Sequence, residues 1–163
     1  KSSEFITIKM LGRTHLAFGV LAGLMFLPFY HQNIILYFGL VLIGALLPDI
    51  DCEGSKINSI LPVTRLLGRL FKHRGFFHTI FPPLVIFGAL AFFTTWSYIG
   101  VALAVGYMSH LFSDGLTKMG VNLLHPVTNL SFSGFIETGK VGEHIAFFVV
   151  IVLSVVKIVT MVV

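Results

Sequence analysis

Charge is what this sequence has least of. Asp, Glu, Lys and Arg together make up 11% of its 163 residues, where an ordinary soluble domain carries about 25%. Hydrophobic residues make up 56% and the mean hydropathy is +0.94, a balance that excludes a water-facing globular surface and points to an integral membrane protein. Cysteine is nearly absent as well. Cys52 is alone, so no disulfide framework forms within the chain, and the redox compartment stays open. Internal repeats and low-complexity tracts are lacking. No cleavable signal peptide is read, because the first apolar run is long and no small-residue cleavage site follows it. Residues 1–10 read as a polar, irregular tail with Met10 as a candidate start. Residues 11–163 are of a size for one membrane-embedded domain.

Five apolar runs follow: Leu11–Tyr30, Asn33–Pro48, Phe76–Trp96, Tyr98–Phe112 and Ile145–Val163. A helical crossing needs about 20 residues, with a range of about 17–25. The first, third and fifth runs meet that length. The second and fourth meet it only if the polar residues at their ends, Asp49 with Asp51 and His110 with Asp114, lie at the interface. Pro82 and Pro83 predict a kink in the third run. The fold class expected is therefore an all-α membrane protein, a bundle of about five transmembrane helices. Between the second and third runs, Ile57–Lys72 reads as an amphipathic helix, with Arg65, Arg69 and Lys72 on one face and Ile57, Ile60, Leu61, Leu67 and Phe71 on another. Such a helix lies in the cytoplasmic interface among anionic head groups or caps the bundle.

The few cations are unevenly placed. Lys1, Lys9 and Arg13 flank the first run; Lys56, Arg65, Arg69, Lys72 and Arg74 follow the second; Lys118 and Lys140 follow the fourth. The short turns around His31 and Ser97 hold none, and Lys157 near the end is the exception. The positive-inside rule places the N-terminus and both long connections in the cytoplasm and the C-terminus outside, in a multi-pass arrangement in the cell membrane.

The ionisable groups that end the apolar runs fall on that same side. They are His15, Asp49, Asp51, His73, His78, His110 and Asp114, half of the seven histidines and seven acidic residues in the chain. Taken singly, each is an ordinary interfacial histidine or turn aspartate. Taken together they need a shared cause, because unpaired polar groups near lipid are costly. Imidazole with carboxylate suits zinc above all, with manganese or iron as alternatives. Seven ligands suffice for two or three ions, with an open position for water. His110 and Asp114, four apart, stack on one helix face. Asp49 and Asp51 flank a turn, and either would hold or deprotonate a water. Arg74, between His73 and His78, would clamp a phosphoryl group, or is one more cytoplasmic charge.

The blocks "THLAFG", "LLPDID", "HRGFFHT" and "GYMSHLFSDGLTKMGVNLLHP" resemble the YdjM/YbcI-type family of bacterial and archaeal membrane-bound metal-dependent hydrolases. The resemblance runs from Arg13 to Glu143. "HP" at His125 departs from the Trp-Pro common in relatives. "IETGKVGE" resembles a late segment of the family, which implies that Glu143 lies near the site. The family is grouped distantly with zinc-dependent phospholipase C and the P1-type nucleases, whose His-x-x-x-Asp pairs His110 and Asp114 match. The resemblance thus implies hydrolysis of a phosphoester in a membrane lipid or lipid-linked substrate, with Asp51, Arg74 and Glu143 as catalytic candidates. No nucleic acid partner is expected. Two rivals remain at this level: a metal-ion transporter, disfavoured because every candidate ligand lies at one depth, and a structural or partner-binding protein stapled by metal.

Overall fold

The computed structural model describes residues 10–51, 76–92 and 96–163. Within them the chain forms five α-helices and no strands: α1 (Gly12–Phe26), α2 (Ile34–Leu46), α3 (Phe81–Phe92), α4 (Ser97–Gly115) and α5 (Val141–Val162). Short 3-10 turns extend α1 (Leu27–Phe29) and α2 (Leu47–Asp51) and precede α3 (Phe76–His78). The amphipathic helix expected over Ile57–Lys72, and with it His73 and Arg74, lies outside the described residues.

Two of these helices are long and apolar enough to cross a membrane: α1 with its extension, Gly12–Phe29, and α5, Val141–Val162. The helices match the expected runs in number but not all in length. The clearest difference concerns Phe76–Trp96. The sequence predicts one kinked crossing there, yet α3 begins only at Phe81 and carries Pro82 and Pro83 in its first turn. A proline in that position loses nothing, because first-turn N–H groups have no partner within the helix. The pair therefore starts a helix instead of bending one. In α4 the apolar run does extend through His110 and Asp114, both of which lie within the helix.

Helix α4 is central and packs against α1, α2 and α3, while α5 packs on α1. The α2–α4 contact is built on glycine. A Cβ on Gly106 would stand 1.9 Å from the Val41 carbonyl oxygen, and one on Gly44 would stand 2.3 Å from that of Leu103. Only hydrogen fits at either place, so the two backbones approach as small residues allow in membrane bundles. Tyr37 of α2 donates its hydroxyl hydrogen to the Gly23 carbonyl of α1 at 3.0 Å. Asn33 caps α2, its side-chain oxygen accepting from the N–H groups of Ile35 and Leu36.

The connection from α4 to α5 folds back under the bundle. Lys118 N–H donates to the Ile136 carbonyl, and Ile136 N–H to that of Leu116. Val121 and Phe132 exchange both of their backbone bonds. Gly120 makes this return possible with a φ of 65°, a conformation that disfavours side chains. Lys118 and Lys140 both bond the carboxylate of Glu137. These cations hold the Glu137 carboxyl down at about 2, the Lys118 hydrogen bond contributing most. The outward face of α5 is largely apolar, with Phe148, Val152, Val155 and Val159 all exposed.

Candidate metal centre

Successive helices run in opposite directions, so the start of α1, the end of α2, the start of α3 and the end of α4 share one end of the bundle. The described candidate ligands sit at those four places. His15 lies in the first turn of α1 and Asp49 in the turn ending α2. His78 ends the turn before α3, and His110 and Asp114 lie in the last turns of α4. All five side chains are buried; the most accessible, Asp49, is 6% exposed and His110 is 0%.

The structure brings these five together. Asp114 is the hub. Its Oδ1 lies 3.7 Å from His15 Nε2, and its Oδ2 lies 3.6 Å from His78 Nε2 and 3.7 Å from His110 Nε2. His78 Nε2 is also 4.0 Å from Asp49 Oδ1. These separations are too long for hydrogen bonds. They are close to the spacing of neighbouring donors around one zinc-sized ion, about 3.4 Å at a tetrahedral angle with bonds of about 2.0–2.1 Å. Two triads satisfy the proximity a metal requires, His15–Asp49–His110 and His78–His110–Asp114, each with its donor atoms within 4.8 Å of one another.

Hydrogen bonds behind the ligands decide which imidazole nitrogen faces inward. His110 Nδ1 lies 2.7 Å from the Ala45 carbonyl oxygen, which can only accept. His110 therefore carries its proton on Nδ1 and turns the Nε2 lone pair into the cluster. That Nε2 is buried and has no hydrogen-bond partner. His15 is fixed by one further step. Ser113 spends its single hydroxyl hydrogen on the His110 carbonyl oxygen at 2.8 Å. At 2.7 Å from His15 Nδ1, the Ser113 oxygen must then accept. His15 is protonated on Nδ1 and also offers Nε2. The two rings stack with centroids 3.7 Å apart and planes inclined by 11°. Metal-bound histidines have this kind of support, the outer nitrogen held by a carbonyl or hydroxyl. The turn bearing His78 is anchored in a similar way, the Tyr107 hydroxyl donating to the Phe77 carbonyl.

The residues present fit a metal. An inward imidazole lone pair lacks a donor. Two buried carboxylates, Asp49 and Asp114, add oxygen donors, and a divalent cation offsets the cost of burying such groups in their ionised form. His110 also limits the count. One lone pair serves one ion, so the two triads cannot both be filled through it at once. Among the described residues, the triad that gives up His110 keeps two ligands, His15 with Asp49 or His78 with Asp114.

Glu143 is placed differently from these five. Its Oε1 accepts from Leu11 N–H at 2.6 Å and from the Thr14 hydroxyl at 2.9 Å, and its Oε2 accepts from Gly139 N–H at 2.6 Å. Helix α1 has no side-chain cap of its own, and Glu143 supplies one from α5. It lies behind the site, one residue removed from His15 through Thr14. Arg13 adds a second tie, 2.9 Å from His144 and over the Phe147 ring. The Asp51 backbone lies in the turn that ends α2, and its side chain is outside the described residues. Reading the sequence for ligands misses Ser113, the Ala45 carbonyl and Thr14. Of these only Ser113, immediately before Asp114, left a sequence signal.

Residues 10–162 match the profile of a family described as YdjM inner membrane protein. A Bacillus subtilis (strain 168) protein named "Uncharacterized protein YvsG" is 29% identical over 138 residues, 83% of this chain and 86% of its own. The "Inner membrane protein YdjM" of Escherichia coli (strain K12) is 37% identical over 94 residues, 52% of this chain and 46% of its own. The protein of the same name from Shigella flexneri matches to the same extent. The alignment thus spans less than half the length of the two YdjM proteins. No solved structure matches the chain.

Proposed function

Since the chain belongs to the YdjM inner membrane protein family, we propose that it is a multi-pass membrane enzyme that hydrolyses a phosphoester in a lipid or lipid-linked substrate with the help of bound divalent metal. The observation that carries this reading is the five-ligand cluster of His15, Asp49, His78, His110 and Asp114, with the unpartnered Nε2 of His110 at its centre. These residues would hold the metal, zinc by preference and manganese or iron as alternatives. A second or third ion would draw on Asp51 and His73. Bound metal supplies Lewis acidity toward a phosphoryl oxygen and a water whose pKa falls toward about 7.

The chain's own groups do the rest. Asp49, the most accessible of the five, or Asp51 would hold the attacking water or take its proton. Arg74 would neutralise charge gathering on the phosphoryl oxygens. Glu143 acts as a positioning residue, holding the α1 turn that carries His15. The His-x-x-x-Asp pair shared with zinc-dependent phospholipases and P1-type nucleases supports the phosphoester class. The distribution of Lys and Arg supports five crossings, with the N-terminus and the site on the cytoplasmic side.

The test is purification of the full chain in detergent without chelators, elemental analysis, and assay against phosphatidic acid, phosphatidylglycerol and a polyprenyl pyrophosphate. Stoichiometric transition metal and turnover that both vanish in His110→Ala are expected. Absence of metal in the unmutated protein overturns the reading. Burial of all five ligands favours one other reading, a closed structural metal that staples the bundle. On that reading the metal-loaded protein cleaves none of the panel, while stripping the metal lowers its unfolding temperature. A transporter would instead show His110-dependent cation flux in liposomes.

A further inference from the structure

A groove of about 720 Å³ runs along the bundle between α1, α3 and α4, and its lining exposes no polar surface. The one hydroxyl among its lining residues, that of Ser109, is turned back onto the Gly106 carbonyl at 2.7 Å. One end of the groove lies level with the metal cluster along the bundle. Ser109 precedes His110, Ile80 follows the His78 turn, and Phe18 lies one helical turn beyond His15. The other end lies at Phe26, Phe87 and Val101. From Phe112 back to Val101 is three turns of α4, about 16 Å. That equals the hydrocarbon depth of one leaflet, about half of 30 Å. The groove's rim residues Met25, Leu84, Met108 and Phe112 are exposed and continue into the apolar outer surface of the helices.

We propose that this groove binds one acyl or polyprenyl chain of a lipid and thereby sets that lipid's phosphoryl group at the metal cluster. The inference rests on the lipid-phosphoester reading above and deepens it. A chain in the groove enters sideways from the bilayer without leaving apolar surroundings. Its length of contact fixes how far the head group reaches, so the first polar atom beyond the groove arrives beside His110 and His15. The groove has no polar group with which to read head-group chemistry. Chain binding supplies depth, and the metal cluster supplies selection for phosphate.

The experiment uses the purified full chain in phosphatidylcholine nanodiscs doped with phosphatidylglycerol bearing a diazirine midway along one acyl chain. After irradiation, labelled residues are mapped by mass spectrometry. Label concentrated on Met25, Phe87 and Met108 relative to the exposed face of α5 at Phe148 and Val155 is expected. Ala104→Trp, which fills the groove, should lower groove labelling about tenfold, equivalent to losing less than two methylenes of chain burial. The α5 label and the metal content should be unchanged. Ala22→Phe on the opposite wall should give the same loss and covers the case in which the tryptophan variant does not fold. Even labelling of groove and α5, or a pattern unmoved by both variants, overturns the proposal. The labelling is read without turnover, so the two readings fail separately. Groove-specific label with no phosphoester cleaved removes the hydrolase reading; cleavage with even label removes only the groove.

Discussion

Gly106 offers the sharpest test of how backbone packing reaches the metal centre. A methyl group there would stand 1.9 Å from the Val41 carbonyl oxygen and 2.8 Å from the Ala45 amide nitrogen. Both are backbone atoms and cannot rotate away, so α2 and α4 must separate by more than about 1 Å to restore ordinary contact. Overpacking of this kind costs about 1–3 kcal/mol, and alanine's better helix propensity returns about 0.5–1. Gly106→Ala should thus lose about 1 kcal/mol, a fall of about 2–4 °C in unfolding temperature for a chain of this size. The same separation stretches the 2.7 Å bond between His110 and the Ala45 carbonyl. Losing such support commonly weakens metal binding by about 10–100-fold. Gly39→Ala is the control, because nothing lies within 4 Å of its Cβ position. Thermal unfolding in detergent and competitive metal titration of both variants provide the readout. A Gly106→Ala protein as stable and as tightly metallated as Gly39→Ala would refute the link between the glycine contact and the site.

Other outcomes are as definite. Asp114→Ala should lose metal more completely than Asp49→Ala, because Asp114 lies within 4 Å of His15, His78 and His110; elemental analysis ranks them, and the opposite order contradicts the hub assignment. Ser113→Ala should reduce metal affinity by about 10-fold or more, since His15 Nδ1 loses its acceptor, whereas Ser113→Thr should retain it. Glu143→Gln puts an amide N–H against one of three donors, and should cost about 1–3 kcal/mol in detergent unfolding; an unchanged midpoint would remove its role as the α1 cap. Because Glu137 is held at about 2 from an ordinary 4.5 by Lys118 and Lys140, its contribution is fully present above pH 4.5 and is lost as the pH falls toward 2. Carboxyl NMR should follow that titration, and a midpoint near 4.5 would show the ion pairs to be absent in solution.

Five candidate ligands were legible in the sequence because each interrupts or ends an apolar run, and a polar group in such a place stands out. His110 and Asp114 were legible even as a pair, since their spacing of four fixes a shared helix face. The sequence could not assign Glu143 its place. A buried acid beside a site looks the same whether it meets the metal or caps a distant helix, and only its three donors separate the two. The Ala45 carbonyl is invisible for a simpler reason: backbone acceptors leave no mark in residue type. The Phe76–Trp96 run misled because two prolines signal a helix start as well as a kink, and hydropathy does not change across them. The groove escaped notice because its walls come from three helices whose exposed apolar residues read the same whether flat or concave.

Alternation of helix direction has a bearing on how such a chain could change over time. A single helix inserted between α1 and α4 would reverse those that follow it and carry their histidines and aspartates to the opposite end of the bundle. A lineage that keeps these side chains together can therefore insert helices between α1 and α4 only in pairs.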